Sequence, residues 1–276
     1  MTSLPLASPE DDALIPQTMP RPLPHWLHPG FTKQIVKGNF MTLSTYPKTV
    51  ERGEWMAHQA IEQFRNLWHF VRVVYDKEDD GLSICNEHTC PKMTAGRNHS
   101  YTWLNSQYKP TELPAHSYMA LMQRWITSRI DNTSIFPTDP NTVSFSLRSG
   151  SAAMSRIEPE KWVGQRSGFP ADFGNTCKTT FSQMFRVYAH LYWAHFIDPF
   201  YHLSLEKQLN SCFAHFLLVA LDLDMLRPEE LEPMQLLIDL WAANGTFPPG
   251  SKAYELANLR RGNYILTYGA EICASE

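Results

Sequence analysis

Residues 51 to 75 read ERGEWMAHQAIEQFRNLWHFVRVVY. Ala57, Ile61, Phe64, Trp68, Val71 and Tyr75 recur at steps of three and four. That spacing draws an apolar stripe along one side of a helix, where a half-buried strand would alternate residue by residue. The stretch predicts a helix from Glu51 to Tyr75. Working outward, the same period returns in Ser117 to Ile130, after a break at Pro114, with Tyr118, Leu121, Met122, Trp125 and Ile126 on one side. It returns again in Asn175 to His195, with Cys177, Phe181, Met184, Tyr188 and Leu191, and in Ser204 to Leu223. A shorter helix is expected from Pro233 to the stop signal Asn244-Gly245. Strand-like alternation is scarce, so the fold class is all-α.

The ends read differently. The first thirty residues hold seven of the twenty prolines, a density that blocks helix and central strand alike. Residues 1–30 are therefore expected to form a disordered or extended arm, 31–245 a helical domain, and 246–276 a C-terminal extension. Inside the domain, residues 141–168 are rich in serine, glycine and arginine and read as a solvated insertion. Ser149, Ser151, Ser155 and Ser167 lie near arginines and could accept phosphate there.

A chain of 276 residues suits one domain of about 200 residues plus irregular extensions. With 43% hydrophobic and 19% charged residues and no apolar run long enough to span a bilayer, it reads as soluble, with no membrane span. The start MTSLPLASPEDDALIPQ lacks the basic and apolar regions of a signal peptide, which points to the cytoplasm or nucleus. A net charge of -4 gives no global basic excess for neutralising phosphates, so no nucleic-acid partner is expected. A basic protein partner is the easier electrostatic match.

Two pairs stand out against that background. Cys85 and Cys90 lie in CNEHTCPKMTAG, and His190 and His195 in MFRVYAHLYWAHF. A reducing compartment disfavours structural disulfides, and two thiols with two imidazoles are the donor set of a structural zinc site. One feature resists: residues five apart on an ideal helix point about 140° away from each other, so the helix must end or deform near His195. The residues alone leave other readings open. His195 can be a satisfied core histidine beside ordinary thiols, His88 can replace a helix histidine as ligand, and a catalytic zinc with Glu87 as base is the enzymatic alternative. A thioredoxin-like pair would have two intervening residues rather than four.

On the first helix, Glu51, Trp55, His58 and Glu62 fall at steps of four, three and four, on a face away from the apolar stripe. An aromatic among carboxylates suits docking of a basic segment; packing of Trp55 under another element is the alternative.

The stretches GEWMAHQAIEQF, CNEHTCPKMTAG, YTWLN, FRVYAHLYWAHF, HLSLEKQLNSCFAHF and LRPEELEPMQLLIDLW occur in this order between about Gly30 and Trp241. In them the chain resembles the Mob family, the Mps one binder kinase coactivators related to phocein. The resemblance implies a Mob/phocein-like helical bundle with a structural Zn2+ on Cys85, Cys90, His190 and His195, and no catalytic activity. It implies binding to the basic N-terminal region of an NDR/LATS-type serine/threonine kinase through an acidic surface, whose matching positions are Glu54, Trp55 and Glu62, with Glu51 adjacent. IVKGNF, YTWLN, LPAHSY and HLSLE look most like fungal members acting in polarised growth and morphogenesis. Other members bind phosphopeptides through a basic cluster. This chain keeps Lys178 and Arg186 there but has Ser182 and Gln183 in place of the basic pair, which argues against phosphopeptide binding.

Overall fold

The computed structural model describes residues 19–36, 40–77, 79, 81–138 and 161–274. In chain order the helices are α1 Phe40–Ser44, α2 Arg52–Tyr75, α3 Ala115–Ile130, α4 Phe173–His195, α5 Glu206–Asp222, α6 Gln235–Ala243, α7 Lys252–Glu255 and α8 Leu259–Ala274. Two small antiparallel hairpins lie between α2 and α3: β1 Thr94–Ala95 with β2 His99–Ser100, and β3 Thr102–Leu104 with β4 Pro110–Glu112. Strands this short were not expected from the sequence, and they leave the class mainly helical.

Helix α4 forms the centre. Its stripe Cys177, Phe181, Met184, Tyr188 and Leu191 is wholly buried. Phe213 and Phe216 of α5 meet the Tyr188 ring at centroid distances of 4.8 and 5.1 Å, close enough for tilted aromatic packing. Helix α2 packs on the other side, but not through the expected stripe. Met56, Ala60, Gln63, Leu67, Val71 and Val74 face the core, while Ala57, Ile61, Phe64, Trp68 and Tyr75 are half-buried along its edge. The reason is polar. Gln63 Nε2 lies 3.3 Å from Gln59 Oε1 and 3.1 Å from His215 Nδ1, so two glutamines enter the interior by bonding to each other and to α5.

The end of the arm runs through bends and turns, with a 3-10 turn at His25–Leu27, and it is packed against the domain: Trp26 and Leu27 are buried. The backbone just past it is held from α5 and α6. Asn210 Nδ2 donates to the carbonyls of Phe31 and Lys33, and Trp241 Nε1 donates to that of Thr32. Asn210 is itself oriented by the Tyr192 hydroxyl at 2.7 Å. Residues 1–18 of the arm and 141–160 of the insertion lie outside the described residues.

Candidate metal centre and docking face

The cysteine loop is shaped by Asn86. Its side-chain oxygen accepts from the backbone N–H groups of His88 and Thr89, and its carbonyl accepts from Cys90 N at 2.8 Å. This turn of asparagine chemistry reverses the chain between the thiols. The loop is fixed to both neighbouring helices, since Cys85 N donates to Val74 O of α2 and Ala115 N of α3 donates to Cys90 O.

Against the loop, α4 stops at His195, whose φ of -129° and ψ of 5° leave the helical region, and a wider π turn follows over Phe196–Tyr201. The helix end removes the 140° conflict. Cys85, Cys90, His190 and His195 are all buried, and one donor atom from each lies within 4.8 Å of the others. Cys85 Sγ is 3.7 Å from His190 Nε2, and Cys90 Sγ is 3.5 Å from His195 Nε2. A tetrahedron with Zn–S of about 2.3 Å and Zn–N of about 2.0–2.1 Å has S···N edges of about 3.6 Å. The donors are spaced for such an ion.

The surroundings fit as well. His190 Nδ1 lies 2.8 Å from Thr94 O, so this nitrogen carries the proton and Nε2 is left with a lone pair toward the cluster. Hydrogen bonding from Cys85, then from His190 and His195, favours a thiolate at Cys90, while the same neighbour pushes the Cys85 thiol well above its usual range. Two thiolates side by side repel, and a divalent cation between them removes that repulsion. His88 and Glu87 take no part: their side chains are exposed and point at one another across 4.0 Å. That geometry excludes His88 as the fourth ligand and leaves Glu87 away from the cluster.

The face of α2 is more integrated than its spacing suggests. Glu51 is the helix N-cap, its carboxylate accepting from Gly53 N at 2.9 Å and Glu54 N at 3.2 Å. Glu51 and Glu54 also share the hydroxyl of Ser167, 3.1 Å from each. Residues 161–168, the last part of the insertion, therefore seat on the start of α2. The fit is tight: a Cβ on Gly53 would lie 2.4 Å from Gly164 Cα. Ser167 is 2% exposed, which corrects its reading as an accessible phosphate acceptor.

Further along, Trp55 is half-buried against the core, with its ring 5.6 Å from that of His58. His58 is exposed and Glu62 half-exposed, its carboxylate near Asn66 Nδ2 at 3.5 Å. The outward charge of the face is thus carried by Glu62, while Glu51 and Glu54 are turned toward Ser167. Sequence reasoning missed this partner because Ser167 lies more than a hundred residues away in a segment that looked solvated. Replacing Ser167 with Asp, which sets a third carboxylate beside two, is expected to cost about 2 kcal/mol, or a fall of about 5 °C in Tm. Ser167→Ala should cost about half as much, and thermal unfolding of the two variants checks the order.

Lys178 and Arg186 line one shallow depression with Ser182, Gln183, Arg227 and Glu230. Arg186 is already engaged, donating to Tyr118 O–H at 3.1 Å and lying 5.3 Å over the Tyr101 ring. Ser182 donates to Glu230 at 2.6 Å. Burial raises the Glu230 carboxyl, but hydrogen bonds from Ser182 and Arg227 outweigh it and hold the group below its ordinary value. A carboxylate thus shares the depression with the two cations.

Comparison with known proteins gives a consistent picture. A model of the Mob1/phocein family matches residues 32–157 and 151–234. The chain is 33% identical over 210 residues to "Maintenance of ploidy protein mob2" of Schizosaccharomyces pombe, covering 76% of this chain and 72% of that one. It is 33% identical over 218 residues to "CBK1 kinase activator protein MOB2" of Candida albicans, covering 79% of this chain and 59% of that protein. The protein of the same name in Saccharomyces cerevisiae is 31% identical over 211 residues, covering 76% and 62%.

Proposed function

The chain belongs to the Mob1/phocein family, and from that premise we propose that it is a non-catalytic activator subunit of an NDR/LATS-type serine/threonine kinase. The observation that carries this reading is the match to two yeast proteins named as kinase activators over more than three quarters of this chain. The partner segment is the basic N-terminal regulatory region of the kinase, and α2 is its acidic landing site. The Glu62 carboxylate, meeting arginines and lysines there, relieves the segment's self-repulsion and fixes its orientation. The effect is a shift in population toward an activatable kinase, with no bond made or broken by this chain.

The Cys85, Cys90, His190 and His195 cluster would hold Zn2+ in a structural role, since four protein donors close the coordination sphere and leave no position for substrate. An ion there staples the loop between α2 and α3 to the end of α4, the helix around which α2 is packed. The metal site and the docking face are then two parts of one device: the first immobilises the helices that present the second. By likeness to the fungal relatives, the role extends to polarised growth and morphogenesis, with residence in the cytoplasm and nucleus and at sites of growth or division.

Capture of a kinase N-terminal peptide tests the docking face. Glu62→Lys is expected to weaken capture about tenfold at low salt, an effect that shrinks as salt is raised because partly exposed charges are screened. Capture unchanged at any salt would move the interface off α2. Glu51→Lys is the less informative variant because it also removes the helix cap, and a drop in Tm should accompany it.

A further inference from the structure

The segment seated on the start of α2 is built to close on itself. Gly164 and Gly168 take φ of +81° and +80°, and Ser167 N and Phe169 N both donate to the carbonyl of Gly164, at 3.1 and 3.0 Å. Trp162 Nε1 completes the loop by donating to Phe169 O at 2.8 Å. At its end the segment is anchored to α4, where Phe169 stacks on Phe173 with ring centroids 4.1 Å apart. Its seat on α2 is of another kind: Gly164 lies against Gly53 at backbone distance, and Ser167 reaches both Glu51 and Glu54 with a single hydroxyl.

That hydroxyl carries one proton, so it donates to one carboxylate at a time. The seated segment also leaves Glu51 Oε1 and Trp55 Nε1, one turn apart, buried with no hydrogen-bond partner among the described residues. An acceptor and a donor are thus kept from water at a cost that opening relieves. The segment is held to α4 by stacked rings and to α2 by an incompletely matched polar contact, so the α2 contact opens at the lower cost. Glu54 is the group that this contact turns aside. Glu51 serves as the helix cap, whereas Glu54 stands eight residues before Glu62, about 12 Å along the helix, within the span of one short basic helix.

We propose that residues 161–169 form an autoinhibitory strap: seated on α2, the strap turns Glu54 toward Ser167 and withholds it from the basic partner segment, and lifted, it adds Glu54 to the charge that Glu62 presents. The effect on binding rests on the reading of α2 as the landing site, while the covering of Glu54 does not. Two variants of the full chain lift the strap without altering either carboxylate. Gly53→Ala sets a Cβ 2.4 Å from Gly164 Cα, a backbone clash that displacement of the strap relieves, at a helical position where alanine is the better former. Ser167→Ala removes the shared hydroxyl. Carbodiimide labelling read by mass spectrometry should modify Glu54 at least about threefold faster in these variants, relative to Glu62. Capture of a kinase N-terminal peptide at low salt should tighten about threefold, and Glu54→Gln should cancel that gain while changing capture by the unaltered chain less than about twofold. Labelling that rises in neither variant, or a gain in capture that survives Glu54→Gln, would overturn the strap. Capture that falls with Glu62→Lys yet rises in neither variant would overturn the strap alone, whereas capture indifferent to Glu62→Lys would overturn the landing site and the strap's effect on it together.

Discussion

Purified protein is expected to carry one zinc ion per chain, and its removal by a chelator, or the substitution Cys85→Ser together with His190→Ala, should abolish the cooperative thermal transition. The magnitude follows from what the ion would hold. Zinc binding to four-ligand finger peptides is worth about 10–16 kcal/mol at neutral pH, and a whole domain is stable by only about 5–15 kcal/mol. Here the ligands come from a loop and a helix end that are about a hundred residues apart in sequence, so losing the ion frees the loop between α2 and α3 from α4. It also leaves two buried thiols and two buried imidazoles facing one another with partial hydrogen bonding. His88→Ala is the control within the same loop: its side chain is exposed, and metal content and Tm should stay unchanged. Metal analysis of protein purified without added zinc, read beside calorimetry, decides the matter. A metal-free protein with the same Tm would sink the structural role.

What could be read in the sequence, and what could not, divides by chemistry. Helix α4 was legible nearly residue by residue because every residue of its stripe is apolar and points inward. Helix α2 was legible in extent but rotated in register, because Gln59 and Gln63 count as surface residues until His215 of α5 is seen beside them. The metal cluster was legible as two pairs, with the helix end at His195 inferred from the angle between five-spaced side chains. The carbonyl of Thr94 that orients His190 leaves no mark in the sequence, since any residue offers a backbone oxygen. The acidic face of α2 was legible in composition but not in which carboxylates face outward, because that depends on Ser167 arriving from a distant segment.

Helix α8 was the element least legible of all. Gly262 and Gly269 lower its helix propensity, and its sequence gives no cap signal as strong as those of the earlier helices. Yet those glycines are the reason it packs. A Cβ on Gly262 would lie 2.1 Å from the Asp239 carbonyl oxygen, and one on Gly269 would lie 3.2 Å from Pro29, so α8 touches α6 and the arm at backbone distance. The extension past residue 245 thus returns to lie against the arm just before the residues that α5 and α6 hold.

Arg261→Met is expected to destabilise the chain by about 3–5 kcal/mol, enough to lower Tm by about 10 °C or more. Asp239, on α6, is fully buried, and Arg261 of α8 is its charged partner. The same carboxylate accepts from Asn258 N at 2.8 Å, at the start of α8, and from Gln235 Nε2 at 2.9 Å. Asp239 therefore anchors the positive end of the α8 dipole as well as the guanidinium. Removing Arg261 leaves the carboxylate buried with two neutral donors, which do not replace a cation in a dry site. Asp239→Asn should recover part of the loss in the Arg261→Met background, because the stranded charge is then gone, and the coupling in that double-mutant cycle measures the pair itself. Asn263→Ala, exposed two residues along, should change stability by less than about 0.5 kcal/mol. Equilibrium denaturation of the four variants reads all of these terms. An Arg261→Met change below about 1 kcal/mol would mean that water reaches Asp239 and that α8 is not integral to the fold.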